Sequence, residues 1–296
     1  MNVIETKNLS KSYGKNRGID EINISVKKGE IYGFIGPNGA GKSTTIKALL
    51  NFIYPSSGEG TILGMDIVKD SHKIKEQIGY VPSEVRYYDE TKVKDIIKYA
   101  HSFYPNISKE KVNSICHELE LDMDKKMGEL SLGNKKKVAI ATSLIQNPKI
   151  LILDEPTNGL DPLMQKKLFN ILQRVKANGS TVFLSSHNLT EVQNLCDRVC
   201  VIKEGKIVDI IEIENAINKL GLKVTLSSKE INEEIILKFA DKIISKNIDN
   251  YIFIYSKEMN LLIQEIGKYK IEELLIEKEN LEDAFLNYYE NTEGEI

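Results

Sequence analysis

A glycine-rich stretch that follows an apolar pentapeptide constrains this chain more than any other feature. The apolar run from Ile31 to Ile35 is typical of a buried strand, and it ends at a glycine. The next residues complete the pattern G-x-x-x-x-G-K-S and continue it by one threonine: Gly36, Pro37, Asn38, Gly39, Ala40, Gly41, Lys42, Ser43 and Thr44. Apolar residues then recur at helical spacing, at Ile46, Leu49, Leu50 and Ile53. The sequence therefore predicts a strand, a tight turn and a helix in succession.

This pattern predicts a binding site for a triphosphate. Glycine lets the backbone turn tightly and bring several N–H groups close to one anion. The unpaired amides and the dipole of a helix N-terminus favour negative charge at the same place. Lys42 adds a cation for the β and γ oxygens, and the Ser43 hydroxyl can ligate Mg²⁺. The alternative is an ordinary glycine-rich turn, which the complete pattern after an apolar strand argues against.

Length, charge and cysteine content limit the remaining possibilities. A chain of 296 residues suggests two domains. The 40 basic and 43 acidic residues give a net charge of −3, which argues against a dedicated nucleic-acid binder. An odd and sparse set of 3 cysteines is typical of a reduced, cytosolic protein. No stretch approaches the ~20 apolar residues that cross a bilayer, and the N-terminus lacks a signal-peptide pattern. At a membrane, another polypeptide would have to do the spanning.

Strands that alternate with helices predict an α/β fold with a mostly parallel sheet. Residues 150–154 and 181–186 are short apolar runs, as expected of parallel strands that are buried on both faces. Ligands bind beyond the C-terminal ends of the strands in such sheets. Gly36, Asp154 and His187 all follow or end predicted strands, so we expect them at one edge of the sheet.

Two regions depart from this alternation. Residues 3–8 and 20–28 alternate apolar and polar side chains, which predicts antiparallel strands with Tyr13 in the loop between them. An exposed tyrosine there can stack on a base or be an ordinary rim residue, and the sequence leaves both open. From about 85 to 146 apolar residues fall at helical spacing, which predicts a helical insert.

The chain changes character again after residue 213. Strands are predicted at 222–228, 251–256 and 272–277, with charged amphipathic helices between and after them, the last being NLEDAFLNYYE. No catalytic constellation falls in this part. We therefore predict two domains, a nucleotide-binding domain over 1–213 and a small accessory α/β domain over 214–296.

Three residues outside the glycine-rich loop are candidates for chemistry. Asp154, at the end of a buried strand, is placed to hold magnesium, and the alternative of a helix cap is weak because Glu155 and Pro156 follow. Glu155 can accept a proton from water next to a metal and a γ-phosphate, as a general base. His187 is either a functional histidine or a helix cap, and the residues alone favour the functional role without deciding it.

In this order, the motifs resemble those of the ATP-binding subunits of ABC transporters over roughly residues 3–212. The resemblance implies a P-loop NTPase core with an antiparallel β subdomain and a helical signature subdomain, and it implies hydrolysis of ATP with Mg²⁺. It places Tyr13 in the adenine-stacking loop, Glu155 at the catalytic glutamate and His187 at the switch histidine, which act with Lys42. Ser43 and Asp154 would hold the metal.

The resemblance also implies a second ATP-binding cassette, expected to be a second copy of this chain. LSLGN, residues 130–134, falls at the signature motif that contacts ATP held by the partner, and NGLD falls at the loop that couples the two sites. The residues implied to act on the partner's nucleotide are Ser131, Gly133, Asn134 and Asp161. Two motifs depart from the family pattern. Leu132 and Asn134 replace Gly and Gln, and Ser83 stands where the family has a magnesium-sensing Gln, so that Glu84 or a water is the alternative ligand there.

The function implied is an ATPase that powers a separate membrane-spanning permease from the cytoplasmic face of the cell membrane. The tail resembles those of exporters of drugs, antibiotics or peptides. One alternative is a soluble ATPase of the same superfamily, which the single cassette and the absence of sustained heptads disfavour. Another is a regulatory module that binds ATP without turnover, which the presence of Glu155 and His187 disfavours.

Overall fold

A computed structural model describes residues 1–14 and 16–279 of the chain. Its strands are β1 (Asn2–Tyr13), β2 (Asn16–Ile22), β3 (Ser25–Lys27), β4 (Ile31–Ile35), β5 (Ser57–Ile62), β6 (Met65–Asp66), β7 (Ile78–Val81), β8 (Ile150–Asp154), β9 (Thr181–Ser186), β10 (Arg198–Lys203), β11 (Lys206–Glu212), β12 (Leu222–Ser227), β13 (Lys242–Lys246), β14 (Asn250–Tyr255) and β15 (Glu273–Lys278). Its α-helices are α1 (Lys42–Leu49), α2 (Ser71–Lys75), α3 (Val93–Ser102), α4 (Lys109–Glu118), α5 (Leu132–Ile145), α6 (Pro162–Ala177), α7 (Leu189–Leu195), α8 (Ile213–Lys219), α9 (Glu233–Leu237) and α10 (Met259–Ile266). The chain forms two compact units, one of residues 1–213 and one that begins at Glu214.

A six-stranded sheet of order β11-β10-β4-β9-β8-β7 is the centre of the first unit. Neighbouring strands from β10 to β7 are parallel, and only β11 is antiparallel to its neighbour. Every residue of β4, β8 and β9 is buried, which explains why these strands read as continuous apolar runs. The predicted parallel core is confirmed.

A second, antiparallel sheet of order β2-β1-β5-β6, with β3 paired to β1, belongs to the same unit. Here one prediction was wrong in detail. Tyr13 is the last residue of β1 and pairs with Asn16 of β2, whereas the sequence predicted a longer loop. Backbone hydrogen bonds continue the pairing of β1 with β2 through residues 11–13. The side chains of these residues do not alternate between apolar and polar, so the sequence pattern gives no sign of a strand there. Tyr13 therefore lies at the end of a hairpin.

The helices α3, α4 and α5 form the predicted insert, and α5 packs against β7. The hydroxyl of Ser131 caps α5 by accepting a hydrogen bond from the backbone N–H of Asn134 at 3.3 Å. Val138, Ile140 and Ala141 of this helix are buried, and so is the cation of Lys136.

The second unit contains a four-stranded antiparallel sheet of order β13-β14-β12-β15. Leu226, Phe253 and Tyr255 of this sheet form a core with Leu262 and Ile266 of α10. Strand β13 lies where a charged helix was predicted. Among the described residues it is an edge strand that pairs with β14 alone, and its mostly exposed side chains carry no apolar alternation. The predicted helix NLEDAFLNYYE lies outside the described residues.

In the part of the chain that the structure covers, none of the helices combines the length and the apolar character needed to cross a bilayer.

Candidate nucleotide-binding site

The glycine-rich loop joins β4 to α1 and has no room for a side chain at Gly36 or Gly41. Gly41 precedes α1 at its N-terminal cap with a φ of 108°, in the left-handed region that favours glycine. A Cβ on Gly36 would lie 2.1 Å from the carbonyl oxygen of Ile202 on β10, so the loop can approach that strand only without a side chain. These two constraints place the N-terminus of α1 at the carboxyl edge of the central sheet, as predicted.

Lys42 is the first residue of α1, and its side chain folds back into the loop. It is 6% exposed. Its Nζ donates to the carbonyl oxygens of Gly36 at 2.7 Å and Pro37 at 3.2 Å. The same Nζ lies 3.1 Å from Oε1 of Glu155. The lysine therefore links the loop after β4 to the residue that follows β8.

Glu155 is held from both sides. Besides the contact with Lys42, its Oε2 lies 2.7 Å from Nδ1 of His187, which follows β9. Glu155 is buried and has a φ of 49°, an unusual backbone conformation for a residue with a side chain. This backbone conformation costs about 1–3 kcal/mol in a residue other than glycine, and it persists where surrounding contacts hold it. This geometry gives the carboxylate a fixed place at the end of the sheet.

Asp154 is the last residue of β8 and is 1% exposed. Its Oδ1 accepts a hydrogen bond from the hydroxyl of Ser185 at 2.6 Å. Its Oδ2 is buried and accepts no hydrogen bond from any of the described residues. A buried carboxylate oxygen without a partner is costly, and a divalent cation is a natural partner for it. Asp154 thus fits Mg²⁺, together with the hydroxyl of Ser43 at the start of α1.

Strands β7, β8, β9 and β4 are neighbours, so the loops at their carboxyl ends meet. A cavity of about 540 Å³ opens there. It is lined by the candidate residues of the loop together with the aromatic, histidine and carboxylate candidates: Tyr13, Asn38, Gly39, Gly41, Lys42, Ser43, Thr44, Ser83, Glu84, Glu155 and His187. Tyr13 is 48% exposed at its rim. The structure therefore brings residues from five separate sequence regions to one cavity.

The four residues predicted to act on a partner's nucleotide are absent from the described lining of this cavity. Ser131 and Asp161 are exposed at the N-terminal caps of α5 and α6, where Asp161 Oδ1 accepts from the N–H of Met164 at 2.9 Å. A Cβ on Gly133 would lie 2.2 Å from the carbonyl oxygen of Gly159. The start of α5 and the loop before α6 therefore form one continuous surface.

Sequence reasoning missed several polar groups that hold this site. Ser185 Oγ donates to Asp154 and also accepts from the N–H of Glu155 at 3.0 Å. Oε2 of Glu191 accepts from the hydroxyls of Thr157 at 2.9 Å and Ser186 at 3.1 Å. Burial raises the pKa of the Glu191 carboxyl above its usual value, although these two hydrogen bonds offset part of the rise. Apart from the local bond between Ser186 and Glu191, these pairs join segments that only the sheet brings together, so no residue pattern signals them.

Comparisons with known proteins identify the family to which this sequence and fold belong. The ABC transporter family matches over residues 19–158. The bacitracin transport ATP-binding protein BcrA of Bacillus licheniformis is 33% identical over 96% of this chain and 96% of its own length. The probable multidrug ABC transporter ATP-binding protein YbhF of Escherichia coli is 35% identical, over 70% of this chain and 36% of its own length. A solved structure of an ATP-binding subunit of an ABC transporter has a TM-score of 0.67 and 28% identity, over 73% of this chain and 92% of that one.

The fold and the loop define a P-loop nucleotide hydrolase. More narrowly, this chain belongs to the ATP-binding proteins of the ABC transporter family, and it binds and hydrolyses ATP.

Replacement of Ser185 tests how the site is held. Ser185→Ala removes the donor to Asp154 and the acceptor for the N–H of Glu155, which leaves two buried polar groups without their partner. We expect the free energy of unfolding to fall by about 1–3 kcal/mol, measured by urea denaturation. Ser102→Ala is the control, because that hydroxyl is exposed and donates to the carbonyl of Tyr99 within its own helix. A surface change of this kind should stay within about 0.5 kcal/mol. Equal effects of the two changes would contradict the role given to Ser185.

Proposed function

We propose that this chain hydrolyses Mg²⁺-ATP to power a separate membrane-spanning permease that exports a drug, an antibiotic or a peptide. The observation that carries the proposal is the carboxylate of Glu155, which is fixed between Lys42 and His187 beside the phosphate-binding loop. The printed names of two relatives, one for bacitracin transport and one for multidrug transport, support this class of cargo. The permease would hold the chain at the cytoplasmic face of the membrane.

In this proposal each residue of the cavity has a separate role. The backbone N–H groups of the loop and the ammonium of Lys42 bind the β- and γ-phosphates. Tyr13 stacks on the adenine at the rim of the cavity. Ser43 and Asp154 would hold Mg²⁺, which when bound supplies positive charge for the phosphate oxygens. Ser83 lines the cavity and would reach the metal through a water, since its side chain is short.

Glu155 acts as the general base in this scheme. Its carboxylate takes a proton from the water that attacks the γ-phosphate. Lys42 contacts one carboxylate oxygen and His187 the other. His187 keeps the proton acceptor in place when the ammonium of Lys42 turns to the phosphates. Because His187 has a side chain that is 47% exposed, it can also reach a phosphate oxygen at the mouth of the cavity.

We further propose that two copies close around two ATP molecules. The exposed surface at the start of α5 and α6 supports this arrangement, because it presents Leu132 at 55% and Leu163 at 67% exposure beside the N-terminus of α5. Large apolar side chains at such exposure are suited to contact a partner. Ser131, Gly133, Asn134 and Asp161 would then contact the nucleotide held by the other copy, the first three at the N-terminus of α5.

Glu155→Gln tests the base and the dimer together. Gln keeps the size of the side chain but cannot accept the proton, so hydrolysis should fall by roughly 10²–10⁴. Binding should survive, since Lys42, Ser43 and Asp154 remain. The loss of a negative charge near the γ-phosphate also reduces repulsion in the closed dimer. We therefore expect the variant to become dimeric on size-exclusion chromatography when Mg²⁺-ATP is added.

The control for this variant is Glu59→Gln, the same change at an exposed carboxylate that pairs with Lys7. It should leave both the rate and the elution volume unchanged. If Glu155→Gln hydrolyses ATP at the parent rate, Glu155 is not the base. If it is inactive but stays monomeric with ATP, the base stands and the dimer of identical copies does not.

The coupling to a permease is tested with the tagged full-length chain produced in its own host. After detergent extraction of the membranes, we expect an integral membrane protein to co-purify, and phosphate release to rise when both are placed in liposomes. Lys42→Ala should co-purify equally well but release phosphate roughly 10- to 100-fold more slowly, because it lacks a charge-assisted contact worth about 1.5–3 kcal/mol. A chain that stays in the soluble fraction, with a rate that membranes do not change, would favour a soluble ATPase instead.

A further inference from the structure

Lys136 is a buried cation that the proposed chemistry does not use. It lies in the second turn of α5, yet its side chain is 0% exposed. Lysine is almost never fully buried unless its ammonium has partners. The hydrogen-bond partners of this ammonium therefore show which groups the buried side chain holds in place.

Three backbone carbonyl oxygens accept hydrogen bonds from Nζ of Lys136. They belong to Pro82 at 3.0 Å, Ser83 at 2.7 Å and Glu155 at 3.2 Å. An ammonium has three N–H donors, so this set satisfies it completely. Pro82 and Ser83 follow β7, and Glu155 follows β8. One side chain of α5 thus binds both loops that border this side of the cavity.

The partners of Lys136 are dipoles and not a hydrogen-bonded carboxylate. Burial lowers the pKa of its ammonium, while the nearby carboxylates of Asp154 and Glu155 raise it. An apolar side chain would cost far less to bury at this position than a cation does. The cation instead fixes the carbonyl of Glu155, whose backbone has the unusual φ of 49°.

We infer that Lys136 is a positioning residue that couples the N-terminus of α5 to the placement of Glu155 in the same chain. The inference rests on the proposed function, in which ATP held by the partner contacts Ser131 and Gly133 at that N-terminus. Because α5 is one continuous helix, a displacement of its first turn also moves the ammonium of Lys136. The carbonyl of Glu155 and the loop at Ser83 then move with this ammonium, because both accept hydrogen bonds from it. Nucleotide at one site would in this way align the base at the other.

The test uses three variants of the full-length chain that differ in the donors at this position. Lys136→Met has none, Lys136→Gln has two, and Lys136→Arg keeps the charge. Lys135→Met is the matched control, since the neighbouring Lys135 pairs with the exposed carboxylate of Asp89 at 3.8 Å. The measurements are kcat, KM and the Hill coefficient for ATP hydrolysis, with the Kd of a fluorescent ATP analogue.

For Lys136→Met we expect kcat to fall by about 10²-fold, the usual effect of a misplaced catalytic group. KM and Kd should stay within about twofold, because the phosphate loop is intact. The Hill coefficient should fall toward one. Lys136→Arg should recover most of kcat, Lys136→Gln should be intermediate, and Lys135→Met should match the parent. If Lys136→Met does not fold, Lys136→Gln and Lys136→Arg still provide the comparison.

A parent value of kcat in Lys136→Gln or Lys136→Met overturns the inference. So does a loss of ATP affinity in parallel with kcat that Lys136→Arg fails to rescue, since this is the result of a merely structural role. The ATP-dependent dimerisation of Glu155→Gln separates the two ideas. If that variant dimerises while Lys136→Met keeps the parent rate, only the inference on Lys136 fails. If it stays monomeric, the proposed dimer fails, and the coupling through α5 fails with it.

Discussion

The contact between Lys42 and Glu155 is the interaction on which the rest of the site depends. A carboxylate that is buried at the end of a sheet is expensive to ionise unless cations and hydrogen-bond donors surround it. Lys42 supplies one such group from the loop after β4, and His187 supplies another after β9. The parallel order of β4, β9 and β8 is what brings these three residues within contact distance. The strand order of the sheet therefore determines the geometry of the site as well as the fold.

The free energies of strain and of hydrogen bonding explain why the backbone of Glu155 has several hydrogen-bond partners. Its backbone conformation costs about 1–3 kcal/mol. A neutral hydrogen bond from its N–H to Ser185 contributes about 0.5–1.5 kcal/mol, and one from the charged Lys136 to its carbonyl about 1.5–3 kcal/mol. Together these two bonds are enough to offset the strain. The exposed ion pair of Lys7 and Glu59 contributes about 0–1 kcal/mol at most, so surface pairs of this kind do not decide the geometry.

The sequence predicts the parts of this structure that repeat a local pattern. The apolar runs of β4, β8 and β9, the glycine spacing and the two carboxylates at the end of β8 are all local signals, and the structure places them as expected. The hydroxyl of Ser185 and the ammonium of Lys136 are not predictable in this way, because their partners lie far away in sequence. Strand β13 was missed for a related reason. An exposed edge strand is defined by its neighbour and not by its own side chains.

The proposed role of Glu155, as a base whose place is fixed by its neighbours, is tested most directly by one crystal structure. The crystal structure of the chain with Mg²⁺ and a non-hydrolysable ATP analogue should show the metal about 2.1 Å from Oδ2 of Asp154. The carboxylate of Glu155 should lie about 2.6–3.2 Å from a water next to the γ-phosphate. The ammonium of Lys136 should still bond the carbonyl of Glu155. A metal-bound complex in which Glu155 points away from the γ-phosphate, with another residue on that water, would contradict the account.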